Sequence, residues 1–302
     1  MRFNVQFIQH WKLWFVVSGL LVLIGMGGFF IRGLNYGIDF TGGTQFNLAF
    51  QHSVTTTTIQ DTLNTLHIVG STVVFLGHGR QHVQISTPNI SEHQRTAVLG
   101  ALHRRGGAFK EISTSRISST IGKQTERRAL LAVVIAMVAI VIYMTIRFEL
   151  RFALAGIAAM VHDVIITVGL IALIHIQLTV YFIMAVLTIF GYSITDKIIV
   201  FDRIRENLHL RKKNEELDGM VNLSLNQVAV RSVYTSVTVL IALAALLLFA
   251  GSSIRDFSLT MSFGVLFGTY SSLFIASPLW MLWRKKEQPK KIRRRLIEEP
   301  EP

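Results

Sequence analysis

Six long apolar stretches constrain the fold of this chain more than any other feature of its sequence. They lie at approximately residues 13–31, 129–146, 152–174, 180–201, 233–250 and 257–283. A helix of about 20 apolar residues crosses the hydrocarbon core of a bilayer. The mean hydropathy of the chain, +0.47, is also higher than soluble domains usually have. The sequence therefore predicts six transmembrane helices, and the first, which lacks a cleavage site, is expected to remain as an anchor.

The positions of Lys and Arg predict how these helices are oriented. The segments that follow the second, fourth and sixth stretches are rich in positive charge: Arg147, Arg151, Arg203, Arg205, Arg211, Lys212, Lys213 and the Lys and Arg residues of the tail from Arg284 to Arg295. The links on the other side, around His175 and Arg255, carry little charge. Because short basic loops stay in the cytoplasm, we expect both termini to be cytoplasmic.

The basic tail has an interpretation that does not require a nucleic-acid partner, although the net charge of the chain is +12. Cations that follow a transmembrane helix bind anionic lipid headgroups, so residues 284–302 are expected to lie against the membrane surface. A contact with ribosomes or RNA is the alternative interpretation of the same charge.

The only long polar segment, residues 33–127, has the pattern of a small α+β domain. Strand-like runs alternate with helical patterns in the order 44–50 (strand), 54–66 (helix), 69–76 (strand), 82–86 (strand), 92–105 (helix) and 109–117 (strand). The order β-α-β-β-α-β is that of a ferredoxin-like fold. We therefore expect an extracytoplasmic ferredoxin-like domain between helices one and two, with residues 1–32 before it and the remaining helices at 128–283.

Three ionisable residues lie within or beside the predicted membrane spans: Asp163 in the third helix, Asp196 in the fourth and Arg231 at the start of the fifth. Such residues are costly in lipid and mark ion pathways or ion pairs. Asp196 and Arg231 lie at similar depths, so they are expected to meet. The pair either holds the helices together permanently or exchanges a proton, because burial favours the neutral carboxyl group and a nearby Arg favours the charged one.

Two neighbours of these aspartates also need an interpretation. Asp163 follows His162 and precedes Thr167 by one turn, so it either belongs to a proton relay or is simply satisfied by hydrogen bonds. Lys197 follows Asp196 but points about 100° away around the helix. We expect its ammonium group to extend to the cytoplasmic interface.

The sequence shows no sign of enzyme chemistry. Cysteine is absent, so neither disulfides nor thiol chemistry can contribute. No nucleophile-base pair, metal-ligand spacing or phosphate-binding loop occurs, and we expect neither catalysis nor a metal or cofactor.

Several specific strings resemble the hallmark sequences of the SecF family, which belongs to the bacterial protein-export machinery. They follow the order of the family along the whole chain: Gly37–Gly43 (GIDFTGG), His162-Asp163-Val164, Gly191–Asp196 (GYSITD), Phe201–Asn207 (FDRIREN), Asn222–Gln227 with Arg231, and Gly268–Ser272 (GTYSS).

The resemblance implies a role for some of these residues. The family counterparts of Asp196 and Arg231 take part in proton conduction, and Asp163 is included in the expected relay. Thr195 and Lys197 depart from the family pattern of Asn and a small hydroxyl residue. Glycines permit unusual backbone conformations, so the motif containing Gly37, Asp39, Gly42 and Gly43 is expected to be either a plain connector or a hinge to the outer domain.

The resemblance also implies partners and a location. The family looks like one half of a twelve-helix resistance-nodulation-division transporter, so SecD is expected to supply the other half. The implied setting is the bacterial inner membrane, beside the SecYEG channel, where the proton gradient promotes late translocation of a preprotein. Two alternatives remain open: an exporter of lipid or small molecules with the same architecture, and a scaffold of the translocon that conducts no protons.

Overall fold

The structure, a computed structural model, describes residues 5–76, 79–211 and 215–286. The described residues form two compact units. A helical unit contains the residues up to Leu34, Val133–Ile176 and those from Tyr181 onward, and a mixed unit contains Asn35–Ala132 and Gln177–Val180. Lys212, Lys213 and most of the basic tail at 284–302 lie outside the described residues.

The helices and strands are defined as follows. In chain order they are α1 Trp11–Arg32, β1 Asn35–Tyr36, α2 Ile38–Thr41, β2 Gly43–Phe50, α3 Thr56–Thr65, β3 Thr72–Leu76, β4 His82–Thr87, α4 Glu92–Gly106, β5 Phe109–Ile117, α5 Ser119–Arg147, α6 Leu150–Leu173, β6 Gln177–Leu178, α7 Val180–Leu210, α8 Leu217–Phe249 and α9 Ser252–Ser271. Helix α9 continues through a π-helical segment, Ser272–Ala276, and then as regular helix to Lys286.

Six of these helices, α1 and α5 to α9, are long and apolar enough to cross a membrane, which confirms the predicted number. Several run past the predicted ends. Helix α5 begins at Ser119, α7 continues to Leu210 and α8 begins at Leu217. The polar extension of α8 stays helical because one of its faces, with Met220, Val221 and Leu225, is buried in the core of the helical unit.

Helices α1 and α6 approach each other closely because glycines lie at their contact. A Cβ atom added at Gly169 of α6 would lie 2.3 Å from the Cα of Gly25 in α1. A Cβ atom added at Gly28 would lie 2.7 Å from the carbonyl oxygen of Gly169. Small residues at a contact allow two membrane helices to approach at backbone distance. The α1–α6 contact therefore depends on these glycines.

A Gly28→Val substitution tests this packing. The added side chain would overlap the backbone of α6, and overpacking of this kind typically costs about 1–3 kcal/mol or more. We expect a clearly lower melting temperature in detergent. Gly27→Val is the matched control, because a Cβ atom at Gly27 meets nothing within 4 Å. Equal melting temperatures for the two variants would show that the contact is not tight.

The mixed unit contains a four-stranded antiparallel sheet. Its strand order is β3-β4-β2-β5. The six elements predicted between residues 44 and 117 all form, in the predicted order, and their ends differ from the predicted ones by at most three residues. The Gly77-His78-Gly79 sequence between β3 and β4 is typical of a turn, but Gly77 and His78 lie outside the described residues.

Helices α3 and α4 contribute to the core of the mixed unit together with the inward-facing residues of the sheet. Alternate residues of the strands point inward, as the period of a strand requires. The buried side chains include Phe46, Leu48, Ile59, Leu63, Val83, Ile85, Val98 and Leu102. Ser91 begins α4 with a capping box that Gln94 completes, in which the side chain of each residue bonds to the backbone N–H of the other.

Candidate functional site

The motif Gly37–Gly43 contacts the start of α7 within the mixed unit. Residues Ile38–Thr41 form the short helix α2. The Asp39 carboxylate accepts a hydrogen bond at 3.0 Å from the backbone N–H of Val180, the first residue of α7. The N–H of Gly37 donates to the carbonyl of Leu178 at 2.8 Å. The carboxylate therefore satisfies one of the free N–H groups at the start of α7 and lies where the helix dipole favours a negative charge.

Two positions of this motif require glycine. Gly42 has a φ of +73°, and a Cβ atom there would lie 2.7 Å from the backbone of Ser119. Gly43 has a φ of +145°, and a Cβ atom there would lie 2.3 Å from the carbonyl oxygen of Thr87. A side chain at either position would be strained and would collide with backbone. The motif is thus a packed junction between β2, β4 and the start of α5.

Gln177 fixes the residues that precede α7 to the sheet. Strand β6, which contains Gln177, pairs in parallel with β1. The amide nitrogen of Gln84 in β4 donates to the Gln177 side-chain oxygen at 3.0 Å, and the Gln177 amide donates to Ser86 at 3.2 Å. No pattern in the sequence marks this contact, because strands of two residues are too short to show a period.

Lys197 is fully buried in the helical unit, where three side-chain oxygens hold its ammonium group. Its Nζ donates to Asp163 Oδ2 at 2.8 Å, to Ser193 Oγ at 2.6 Å and to Ser271 Oγ at 3.0 Å. The expectation that Lys197 extends to the cytoplasmic interface is therefore wrong. The side chain does point away from Asp196, but in that direction it meets a buried carboxylate that attracts it more strongly than the interface does.

Asp163 is satisfied at both carboxylate oxygens. Besides Lys197, its Oδ2 accepts from Ser193 at 2.7 Å and from Ser271 at 2.8 Å, and its Oδ1 lies 3.0 Å from Nδ1 of His162. The other ring nitrogen of His162, Nε2, contacts the hydroxyl of Ser18 in α1. His162 thus contacts Asp163 through one ring nitrogen and Ser18 through the other. This network links α1, α6, α7 and α9.

Asp196 faces a different helix, α8. Its Oδ1 accepts a hydrogen bond from Ser232 at 2.7 Å, and the residue is 8% exposed. Its Oδ2 has no hydrogen-bond partner among the described residues. Ser272 is also close to this carboxyl group, but its hydroxyl donates to the carbonyl of Gly268 at 2.7 Å. The Asp196 carboxyl group is thus buried and only partly satisfied.

Arg231 is exposed, and in the described part of the chain it forms no ion pair. The expected contact between Arg231 and Asp196 is therefore absent from this conformation. Ser232, one residue further along α8, faces Asp196 instead. Residue number predicts the depth of Arg231 in the membrane but not the direction in which its side chain points. Successive residues of a helix point about 100° apart, so Ser232 faces Asp196 and Arg231 does not.

A cluster of hydroxyl groups from Tyr192, Ser236 and Thr269 lies one turn away from the Asp196–Ser232 contact, between α7, α8 and α9. Ser236, one turn after Ser232, donates to the carbonyl of Ser232 at 2.8 Å and contacts the hydroxyl of Thr269. The hydroxyl of Tyr192, one turn before Asp196, lies 2.9 Å from that of Ser236. Groups of this kind both donate and accept hydrogen bonds, so the cluster forms a polar region on the side of Asp196 nearer the start of α7.

The π-helical segment begins beside both aspartates. It starts at Ser272, directly after Ser271, whose hydroxyl bonds to Asp163. The Ser277 hydroxyl donates to the carbonyl of Ser272 at 3.1 Å. A π-helical turn widens the helix and often marks a functional position. Here it lies where α9 presents Ser271 and Ser272 to the two aspartates.

Ion pairs lie near the end of α7, within Phe201–Asn207. Arg203 bonds to Glu206 at 2.6 Å and Arg205 bonds to Asp202 at 2.9 Å, both at i,i+3 spacing. Arg147 at the end of α5 adds a contact to Asp202 at 3.2 Å. These side chains are partly exposed, so their contribution to stability is small.

The described residues contain no group of three or more His, Cys, Asp or Glu side chains that could hold a metal ion. Asp163 forms an ion pair with Lys197. Asp196 has no ion-pair partner among the described residues, and it remains the candidate proton-binding group of the site.

Comparison with protein families gives two matches. Residues 98–286 match the family described as "Protein export membrane protein SecD/SecF, C-terminal". Residues 27–54, which include the Gly37–Gly43 motif, match the "SecD/SecF GG Motif".

Individual relatives agree with these matches. The chain is 37% identical to the protein translocase subunit SecF of Sebaldella termitidis over 95% of this chain and 94% of the relative. It is 36% identical to the protein translocase subunit SecDF of Bacillus subtilis, covering 94% of this chain but 39% of the relative. It is also similar to the crystal structure of SecDF, a translocon-associated membrane protein from Thermus thermophilus, with a TM-score of 0.85, 33% identity and coverage of 94% of this chain and 39% of that one.

Proposed function

Because the chain belongs to the SecD/SecF family of protein-export membrane proteins, we propose that it uses the proton gradient, together with SecD, to promote late steps of preprotein translocation. The preprotein would be handled on the outer side of the membrane, after it has passed through the SecYEG channel. In this proposal the chain is an accessory subunit of Sec protein export and not an enzyme.

The observation that carries the proposal is the environment of Asp196. The group is almost completely buried, it bonds to Ser232 through one oxygen, and no described cation pairs with it. Lys197, its neighbour in sequence, is already paired with Asp163. If Asp196 binds a proton, its hydroxyl group can donate to Ser272 Oγ, which has lone pairs available while its own proton bonds to Gly268. Both the charged and the neutral form thus have a partner, as a proton carrier requires.

A movement of α7 would reach the outer domain through the Gly37–Gly43 motif. Helix α7 carries Asp196 and begins at Val180, whose N–H donates to Asp39. Gln177, just before α7, is bonded to the sheet. A shift of α7 on protonation would therefore pull on Asp39, Gln177 and the sheet directly. This supports the hinge interpretation of Gly37, Asp39, Gly42 and Gly43 over a plain connector.

Two features support the proposal that SecD supplies the other half of a twelve-helix transporter. The chain covers 39% of the fused SecDF relatives, which contain both parts in one polypeptide. In addition, only 6% of the residues in the most apolar 18-residue window of α5 are buried within this chain. A helix that is apolar on all sides needs lipid or another protein around it. We propose that SecD covers part of this surface, as paired repeats do in transporters.

The proposed orientation follows from charge. Arg147, Arg151 and Arg203 lie at the ends of α5 to α7 that are distant from the mixed unit in sequence, and basic ends stay in the cytoplasm. The mixed unit is then extracytoplasmic, in a bacterial inner membrane, with both termini and the lipid-binding basic tail inside. The β-α-β-β-α-β order and the strand order β3-β4-β2-β5 support a ferredoxin-like domain.

The proposal is tested by reconstituting export in vesicles that contain the SecYEG channel and its motor. Three preparations are compared: this chain with SecD, this chain alone, and SecD alone. We expect an imposed proton gradient to accelerate completion of a partly translocated preprotein severalfold only when both subunits are present, and a protonophore to remove the effect. Equal acceleration in vesicles that lack this chain would refute the proposal.

A further inference from the structure

We propose that the ammonium group of Lys197 is a built-in cation that permanently fills a buried, oxygen-lined site for a monovalent metal cation. The site is formed by Asp163, Ser193 and Ser271. Lys197 thereby prevents an alkali cation from binding at Asp163.

The first support is the set of atoms around Nζ. Its three partners are one carboxylate oxygen and two hydroxyl oxygens, at 2.6–3.0 Å. The side chains of Asp163, Ser193 and Ser271 are fully buried. Oxygen atoms of this kind are the ligands that hard metal cations prefer. The single carboxylate supplies one negative charge, which matches one monovalent cation.

The second support is an oxygen that Lys197 leaves unused. Thr167 follows Asp163 by one turn on the same face of α6. It is 1% exposed, and its hydroxyl has no hydrogen-bond partner among the described residues. An ammonium group has only three protons, and all three are engaged here. A metal ion is not limited to three directional bonds, so it could bind the Thr167 oxygen as well.

The consequence for coupling rests on the proposed function, whereas the cation site itself does not. With the ammonium group in place, an alkali cation cannot bind at Asp163. The chain would then respond to a proton gradient through Asp196, and sodium would have no site at Asp163.

The test removes the ammonium group with Lys197→Ala. Melting temperatures of the purified chain in detergent are compared in NaCl, KCl and choline chloride at equal ionic strength, since choline is too large for the site. We expect NaCl or KCl to raise the melting temperature of Lys197→Ala by several degrees over choline chloride, and to leave the wild type unchanged. Lys197→Met is the control that keeps the volume filled, and it should show no salt preference. Adding Asp163→Asn to Lys197→Ala should abolish the response.

The outcomes separate clearly. A Lys197→Ala protein that melts at one temperature in all three salts, or that fails to fold in NaCl and KCl while Lys197→Met folds, would overturn the proposal. If neither variant folds, the melting temperature of the wild type in the three salts is the test. Equal melting temperatures support the proposal. A higher melting temperature in NaCl or KCl, which is lost in Asp163→Asn, would overturn it. Melting is measured without translocation, so a negative result here leaves the proton-coupling proposal standing.

Discussion

Replacing Lys197 by methionine is expected to lower the free energy of unfolding by about 3–5 kcal/mol, which is the usual cost of leaving one member of a buried ion pair without its partner. The Asp163 carboxylate would keep its bonds to Ser193, Ser271 and His162 but would lose the charge that balances it. Both side chains of the pair are 0% exposed, so water cannot take the place of the ammonium group. The loss of unfolding free energy is measured by unfolding the protein in detergent with heat or with denaturant.

Two further variants make this prediction specific. Adding Asp163→Asn removes the unbalanced charge, so the double variant should recover most of the lost stability. Lys285→Met is the matched control, because Lys285 also pairs with an aspartate, Asp218, at 2.6 Å, but these side chains are 46% and 39% exposed. Exposed pairs contribute about 0–1 kcal/mol. Equal losses for Lys197→Met and Lys285→Met would contradict the buried pair.

Asp196→Asn is expected to abolish the acceleration of export by the proton gradient and to leave gradient-independent export in place. Asparagine can still accept the hydrogen bond from Ser232, so the packing of α7 on α8 is retained. It cannot bind or release a proton. Each proton that crosses the membrane releases about 2.3 kcal/mol per 100 mV, and the variant would have no group at this position to use that energy. The ratio of export rates with and without the gradient should fall to about one.

The control for Asp196→Asn is Asp61→Asn, an identical change at an exposed carboxylate in α3 of the mixed unit. It should keep the full gradient effect. Melting curves of both variants exclude unfolding as the cause. If Asp196→Asn retains a gradient effect equal to that of Asp61→Asn, another group carries the proton.

The sequence predicted the architecture because two simple periodicities determine it. The six helices are defined by runs of apolar residues long enough for a bilayer, and β2 to β5 by alternation and caps such as Ser91. The ends of α5, α7 and α8 were less predictable, because polar residues there remain helical when one face packs on the core. Hydropathy predicts which segments can cross a membrane, but it does not predict which polar segments pack on the core.

The site was predicted only in part. Its aspartates could be found because charge is rare in an apolar helix, but their partners could not. The angle of Lys197 around α7 was correct, yet its destination depended on Asp163 of α6, which no pattern within α7 reveals. The contact of Asp196 with Ser232, and not with Arg231, depends on the rotation of α8 about its axis. Contacts between helices that are distant in sequence have no signature in one sequence.

The central claim is that Asp196 changes its protonation. Infrared difference spectra of the chain with SecD in lipid, recorded as the pH is cycled, report the C=O stretching band of a neutral carboxyl group. The account predicts a band that appears at low pH and disappears at high pH in the wild type and in Asp61→Asn, and that is missing in Asp196→Asn. Identical carboxyl bands in the wild type and in Asp196→Asn would contradict it.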